Sequence, residues 1–240
     1  MLKLREAVAA AKASGVALGH FNISNSDQFH AVKAAAKACG LPAIVGVSEG
    51  EREALGVHEA AALVQVAREE GVQLYLNADH THTIEKIKEA IDAGFDSVII
   101  DASHAPFEEN VRISKEAVAL ARASGRDVLV EGELGMIGSG SEILDELPQD
   151  FDKDLTDPAL AKRYVEESGV DLLAPAIGTM HGVLRSGKEA RIDMERVKAI
   201  SASANVPLVV HGGSGSPDED FVAAAHAGAA IIHISTDLRV

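Results

Sequence analysis

The sequence predicts an α/β fold, a (β/α)8 TIM barrel forming one domain over residues 1–240, and three observations carry that expectation. Eight apolar β-like runs alternate with helical patterns along the chain. The runs are nearly continuous in Val, Ile, Leu and Ala instead of alternating with polar residues, as parallel strands covered on both faces require. At 240 residues and 47% hydrophobic content the chain can bury one sizeable core, and barrels of this length are commonly single domains. No GxGxxG follows the first run, which weakens the case for an open dinucleotide-binding sheet.

The elements follow in order. MLKLREAVAAAKASG opens the chain as an amphipathic helix with charges spread through it. Val16–His20 is the first strand, followed by a helix over Asp27–Cys39 that closes on Gly40. Pro42–Ser48 and Gln73–Asp79 are the second and third strands. A helix over Ile84–Ala93, behind a Thr83 cap and ahead of Gly94, leads to the fourth strand, Ser97–Ser103. Glu108–Ser124 is helical, Asp127–Gly135 is the fifth strand, and Asp157–Ser168 is a helix opened by its Asp. Asp171–Gly178, a helix over Asp193–Ser203, Pro207–Gly213, a helix over Asp218–Ala227 and Ala229–Thr236 complete the series. The chain stops at Val240, four residues after the eighth strand. The eighth helix is therefore absent, and the apolar outer surface it would cover leads us to expect that the natural chain continues.

Charge restricts the partners. With 37 acidic against 22 basic residues, the formal net charge of −15 repels polyanions and anionic membrane surfaces, so no nucleic-acid or membrane partner is expected. A small anionic substrate remains compatible, because a metal ion, backbone N–H groups and one or two arginines reverse the field locally. The single cysteine, Cys39, excludes an intramolecular disulfide. No uninterrupted apolar stretch reaches membrane length, and the expected location is the cytoplasm.

The chemistry is concentrated where strands end. Asp79, His80, Glu133, His181 and His211 each fall where an apolar run gives way to Gly, Thr or Asn, and in a parallel barrel all such ends open on one face. Three neutral imidazoles with an open position suit a catalytic Zn²⁺. On spacing alone, a strand-end histidine is as readily a hydrogen-bonded polar residue as a ligand. The contexts Asn77-Ala78-Asp79-His80, Gly178-Thr179-Met180-His181-Gly182 and His211-Gly212-Gly213-Ser214-Gly215 favour the ligand reading, since glycine lets a ligand approach the main chain. Gly212-Gly213-Ser214 after the seventh run and Ile234-Ser235-Thr236 after the eighth offer N–H and hydroxyl donors where barrels frequently bind phosphate.

The stretches GFDSVIIDASHAPFEENV (94–111), EGELGMIG (131–138), DLLAPAIGTMHG (171–182), PLVVHGGSG (207–215) and the Asp79-His80 pair resemble the class II, metal-dependent ketose-bisphosphate aldolases, the fructose- and tagatose-bisphosphate aldolase family. The likeness runs from Gly19-His20-Phe21-Asn22 to Thr236-Asp237. It implies reversible cleavage of a ketose 1,6-bisphosphate, in the first place fructose 1,6-bisphosphate, to dihydroxyacetone phosphate and glyceraldehyde 3-phosphate through an enediolate. It also implies zinc as Lewis acid, with a second divalent or monovalent cation, and a homodimer or homotetramer.

The resemblance assigns zinc to His80, His181 and His211, the general base to Asp79, and a second or displaced metal to Asp101 and Glu133. It assigns phosphate to Gly182 and to the two donor loops, and puts Asn22 and Ser48 near the substrate. Arg185 stands where many relatives carry Lys. Glu131, two residues before Glu133 on the same strand face, reads as structural, and His82 and His104 match no family ligand. Two departures stand out. His233, in Ile231-Ile232-His233, replaces the Asn of a common Lys-Ile-Asn and faces the substrate. Gly138-Ser139-Gly140-Ser141-Glu142 replaces a mobile acidic loop, leaving Glu142 as the carrier of its proton-transfer role. Two alternatives remain open on the sequence. One is a metal-dependent hydrolase using His80-Thr81-His82 as a ligand pair, and the other is a catalytically weakened sugar-phosphate binding protein. A Schiff-base aldolase is set aside because no strand end carries a lysine.

Overall fold

The computed structural model describes residues 2–137, 143–144, 155–185 and 191–239. Eight parallel strands close in chain order into a barrel: β1 Leu18–Asn22, β2 Ala43–Val47, β3 Leu74–Thr81, β4 Ser97–Ile100, β5 Leu129–Leu134, β6 Leu172–Pro175, β7 Leu208–Val210 and β8 Ala229–Ile234. Closure is made by β1 against β8, with His20 directly opposite His233. The fold is the (β/α)8 barrel the alternation predicts.

The helices are α1 Leu4–Ala13, α2 Ser26–Cys39, α3 Glu49–Leu55, α4 Val57–Glu69, α5 Ile84–Ala93, α6 Phe107–Ala123, α7 Pro158–Ser168, α8 Met194–Ala204 and α9 Asp218–Ala227. Their ends are written locally. Asn25, Thr83, Asp157 and Asp193 each accept a first-turn N–H and so satisfy a donor the helix cannot. Gly40, Gly94, Gly169 and Gly228 end α2, α5, α7 and α9 in the left-handed region. Two helices, α3 and α4, lie between Ser48 and Gln73, where the sequence pattern predicts none.

Strand alternation sorts the core into two clusters. Val45, Leu74, Leu76, Val98 and Val130 pack outward with the helices. Ile44, Tyr75, Leu129, Leu172, Val209 and Ile231 form a second cluster with Leu4, Ala7, Val8 and Ala11 of α1. Through these contacts α1 closes the N-terminal end of the barrel, where the Tyr75 hydroxyl donates to Leu2 O at 2.9 Å. The functional face is left at the opposite, C-terminal end.

Two boundaries differ from the sequence reading in ways that position the site. β1 ends on Asn22, not His20, so both side chains are carried by the strand, with buried residues at 18, 20 and 22. β3 continues past Asp79 to Thr81, with its register against β4 shifting between Ala78 and Thr81. His80 has φ 36 at this irregularity, a conformation that costs a non-glycine residue about 1–3 kcal/mol. Arg52, buried on α3, donates to Val47 O, Asp79 O and Thr81 Oγ1, supplying donors that an interrupted ladder lacks.

Beyond β8 a 3₁₀ turn spans Thr236–Leu238, and Arg239 pairs with Glu51. An apolar groove lined by Val16, Phe21, Val32, Ala35 and Leu41 runs beside β1. Among the described residues no helix is long and apolar enough to cross a membrane.

Candidate active site

The end of β3 brings two groups to the barrel mouth. Asp79 is buried and accepts from Asn22 Nδ2 at 2.7 Å through Oδ2, while its Oδ1 has no hydrogen-bond partner. His80, turned by its positive φ, sets Nδ1 3.0 Å from Asp101 Oδ2. Asp101 is itself held by the backbone N–H and the hydroxyl of Ser103.

His181 and His211 arrive from the loops after β6 and β7. Ring centroids lie 4.7 Å apart for His80–His181, 5.1 Å for His80–His211 and 5.5 Å for His181–His211. One nitrogen from each ring falls within 4.8 Å of the others, a spacing at which one ion reaches all three. Glycine makes this approach possible. Gly212 has φ 63, and a Cβ there would lie 2.3 Å from the carbonyl oxygen of Met180. The loop carrying His211 therefore rests against the main chain next to His181.

Carboxylates surround the imidazoles. His211 Nε2 lies 2.8 Å from Glu131 Oε1, with both side chains fully buried, and His211 Nδ1 has no hydrogen-bond partner. A ring nitrogen engaged by a carboxylate presents the opposite nitrogen to a ligand, so Glu131 orients His211. Glu133 Oε2 is also buried and unpartnered, 3.8 Å from His80 Nδ1. His80, Asp101 and Glu133 form a second group of potential ligands.

These charges shift one another. Burial would lower His80, but Asp79, Asp101 and Glu133 together carry it up to about 10. Burial raises Glu133, helped by Asp101, to about 8, and burial likewise holds Glu131 well above the usual carboxyl value. Burial would likewise raise Asp79, yet His80, His20 and His211 pull it well below the usual carboxylate range. Four carboxyl groups around one histidine cluster constitute a site that favours positive charge. The donor set, three imidazoles with unpartnered buried oxygens, fits a zinc ion.

Asn22, Ser48, Gly182, Gly212, Ser214 and Thr236 line the cleft together with Asp79, His80 and His181. Ser214 Oγ accepts from the N–H groups of Ser235 and Asp237, tying the two donor loops to each other. Gly213 spends its N–H on His233 O at 3.1 Å, and a Cβ there would meet the same oxygen at 2.7 Å, so its glycine serves close packing. Ile234 pairs with Phe21 in the β1–β8 ladder. Arg185 is exposed and does not line the cleft, and Glu142 lies outside the described residues. His82 lines the cleft, and among the described residues it joins none of the groups of potential ligands. His233 lies on the cleft wall with Nδ1 3.7 Å from Asp79 Oδ1. His20, buried beside it, was not singled out on the sequence. The available signal was a histidine at an inward position of an otherwise apolar strand.

The model of the family "Fructose-bisphosphate aldolase class-II" matches residues 2–240. A fructose-bisphosphate aldolase of Staphylococcus epidermidis is 37% identical over 244 residues, an alignment spanning 100% of this chain and 82% of the relative. The chain belongs to the class II fructose-bisphosphate aldolase family. Solved class II relatives agree in fold. The YdjI aldolase of Escherichia coli K12 superposes with a TM-score of 0.84 at 33% identity, covering 98% of this chain and 81% of that one. The fructose-bisphosphate aldolase of Campylobacter jejuni gives 0.78 at 26% identity, covering 98% and 76%. Membership makes this protein a carbon–carbon lyase, an aldolase.

Proposed function

We propose that this class II aldolase cleaves fructose 1,6-bisphosphate reversibly to dihydroxyacetone phosphate and glyceraldehyde 3-phosphate, with zinc held by His80, His181 and His211. The observation that carries this reading is the convergence of three imidazoles beside Asp79, a buried carboxylate with one oxygen unpartnered. When bound, zinc supplies Lewis-acid polarisation of a carbonyl oxygen.

The protein's own residues do the rest. Asp79 moves the proton: in the condensation direction its Oδ1 takes one from the carbon beside the triose carbonyl, and in the cleavage direction it returns one. Asn22 assists by fixing Oδ2, so the free oxygen has a defined direction. Asp101 and Glu131 each engage one nitrogen of a histidine and leave the other for the cation. Asp101 and Glu133, with His80, offer a second cation a seat. Gly182, Gly212, Ser214, Ser235 and Thr236 present N–H and hydroxyl donors to phosphate, and Gly213 and Ile234 hold the two loops that carry them. Ser48 and Arg185 belong to the sugar-phosphate side of the reading, and Glu142 to a second proton transfer at the aldehyde end. His233, whose Nε2 is buried without a partner, meets a substrate hydroxyl. The substrate is a small sugar phosphate, the assembly a homodimer or homotetramer, and the location the cytoplasm.

The test follows triose phosphate release by the zinc-loaded protein from fructose and from tagatose 1,6-bisphosphate. Release from the fructose ester that is lost on chelation and restored by zinc is the expected result. His181→Ala should fold and fail to retain zinc, because the ligands sit at the end of an already packed barrel. Full-rate cleavage by chelated protein would overturn the metal reading, and a preference for the tagatose ester would overturn the substrate.

A further inference from the structure

His20 is used by nothing in the reading above, yet it occupies a built slot. Its ring is fully buried inside the barrel and lies parallel to that of His233, with 3.4 Å between centroids and 2° between planes. The two residues face each other across the β1–β8 closure. Behind His20, a Cβ on Gly46 of β2 would fall 2.1 Å from His20 Cε1, so the slot exists only because residue 46 is glycine. On its other side His233 stacks on His211, with centroids 4.1 Å apart and planes 24° apart. Three imidazoles thus form a column from the barrel interior to a metal-ligand candidate.

Neither nitrogen of His20 makes a hydrogen bond of acceptable geometry, although the Asn77 amide lies close. A buried polar ring held without hydrogen bonds is costly, and packing against a second flat ring is the contact this one makes. Stacking fixes the plane of the neighbour. Here the neighbour carries a nitrogen 3.7 Å from Asp79 Oδ1 and another that is buried and unpartnered.

We propose that His20 is a positioning residue for His233: its ring backs the His233 imidazole and holds it in the plane that aims its nitrogens at Asp79 and the substrate. Without that ring, the space on the inner side of His233 lets the imidazole tilt away from the cleft. The proposal rests on the reading of His233 as a substrate contact. Its effect belongs to the chemical step, since His20 itself does not line the cleft.

The experiment measures kcat and KM for fructose 1,6-bisphosphate cleavage, zinc content and the unfolding midpoint of His20→Ala, His20→Phe, His233→Asn and the double variant His20→Ala/His233→Asn. His20→Ala should lower kcat about tenfold with KM and zinc content little changed, the order of effect a misplaced active-site group produces. His20→Phe, which keeps a flat ring in the slot, should stay within about threefold of the parent. In the His233→Asn background the loss from His20→Ala should shrink to about twofold or less, the signature of two residues acting as one unit. Equal losses in both backgrounds would overturn the proposal, because His20 would then act independently of His233. A folded His20→Phe protein that has lost tenfold would overturn it too, whether or not His20→Ala folds. Unchanged kinetics in His233→Asn would strike the reading of His233 and the proposal with it, whereas a His233 effect without coupling to His20 strikes the proposal alone.

Discussion

Asp79 and His80 are neighbours on one strand with opposite duties, and the backbone between them separates the duties. Asp79 follows the inward parity of β3 and takes one hydrogen bond from Asn22. His80 breaks the parity through its positive φ, which carries its ring to Asp101. A regular strand would send adjacent side chains to opposite faces, so the irregularity at 78–81 is what lets a base and a ligand share one cleft. Asp79→Asn keeps the shape and removes the basic carboxylate. Exchange of the carbon-bound proton of dihydroxyacetone phosphate should fall by roughly two to four orders of magnitude, while its binding changes much less. Undiminished exchange in a zinc-replete Asp79→Asn protein would remove Asp79 from the role of base.

At the scale of elements, what was legible followed from local rules. Apolar runs ending in Gly or Asn located the strands, and Asp, Thr and Gly located the helix ends. The strand-end histidines were visible because a polar residue stands out where an apolar run stops. His20 closes the first run as read from the sequence and still carries no signal of its role, because its reason for being there lies on β8, over two hundred residues away in the chain. Arg52 and α3 were missed because a charged segment directly after a strand reads as solvated loop; burial of Arg52 among three acceptors is a tertiary fact. The His181–His211 approach is likewise a contact between loops. It can be broken at Gly212, where alanine would be strained at φ 63 and would collide with Met180 O. Gly212→Ala should leave the barrel folded, at a cost of a few kcal/mol by analogy with other strained positions, while zinc affinity falls about tenfold or more in chelator competition. Zinc binding equal to the parent's would show that the loops tolerate separation and that the contact does not set the ligand geometry.

For the whole molecule, buried charge links stability to pH. His20, held down to about 4, and His211 and His233, held well below the ordinary histidine value, all chiefly by burial, stay neutral when folded and take protons near 6.5 when unfolded. Through that window the unfolded chain binds more protons on these three, so they withdraw stability as pH falls. Glu131, Glu133 and His80 act in the opposite sense. Burial raises the two carboxyls, Glu133 to about 8, so the folded protein keeps protons that the unfolded chain releases above about 4.5. His80, carried up to about 10 by its carboxylates against the effect of burial, adds a third such proton above 6.5. Below 6.5 three histidines oppose two carboxyls, and the net slope weakly favours higher pH. Above 6.5 the histidines fall silent, and all three proton holders withdraw stability as pH rises toward 8. The metal-free protein should therefore be most stable at about pH 6, losing on the order of 1 kcal/mol per pH unit for each proton involved on the alkaline side. A cation on this cluster displaces the protons of His80 and Glu133, so zinc should flatten the alkaline limb and steepen the acid limb, where the unfolded histidines take protons that the folded site no longer matches. Urea midpoints measured from pH 5 to 9, with and without zinc, decide the matter. A metal-free midpoint that climbs steadily through pH 8, or an alkaline limb indifferent to zinc, would mean that the carboxylates ionise freely in the folded barrel and that the protons attributed to His80 and Glu133 are not held there.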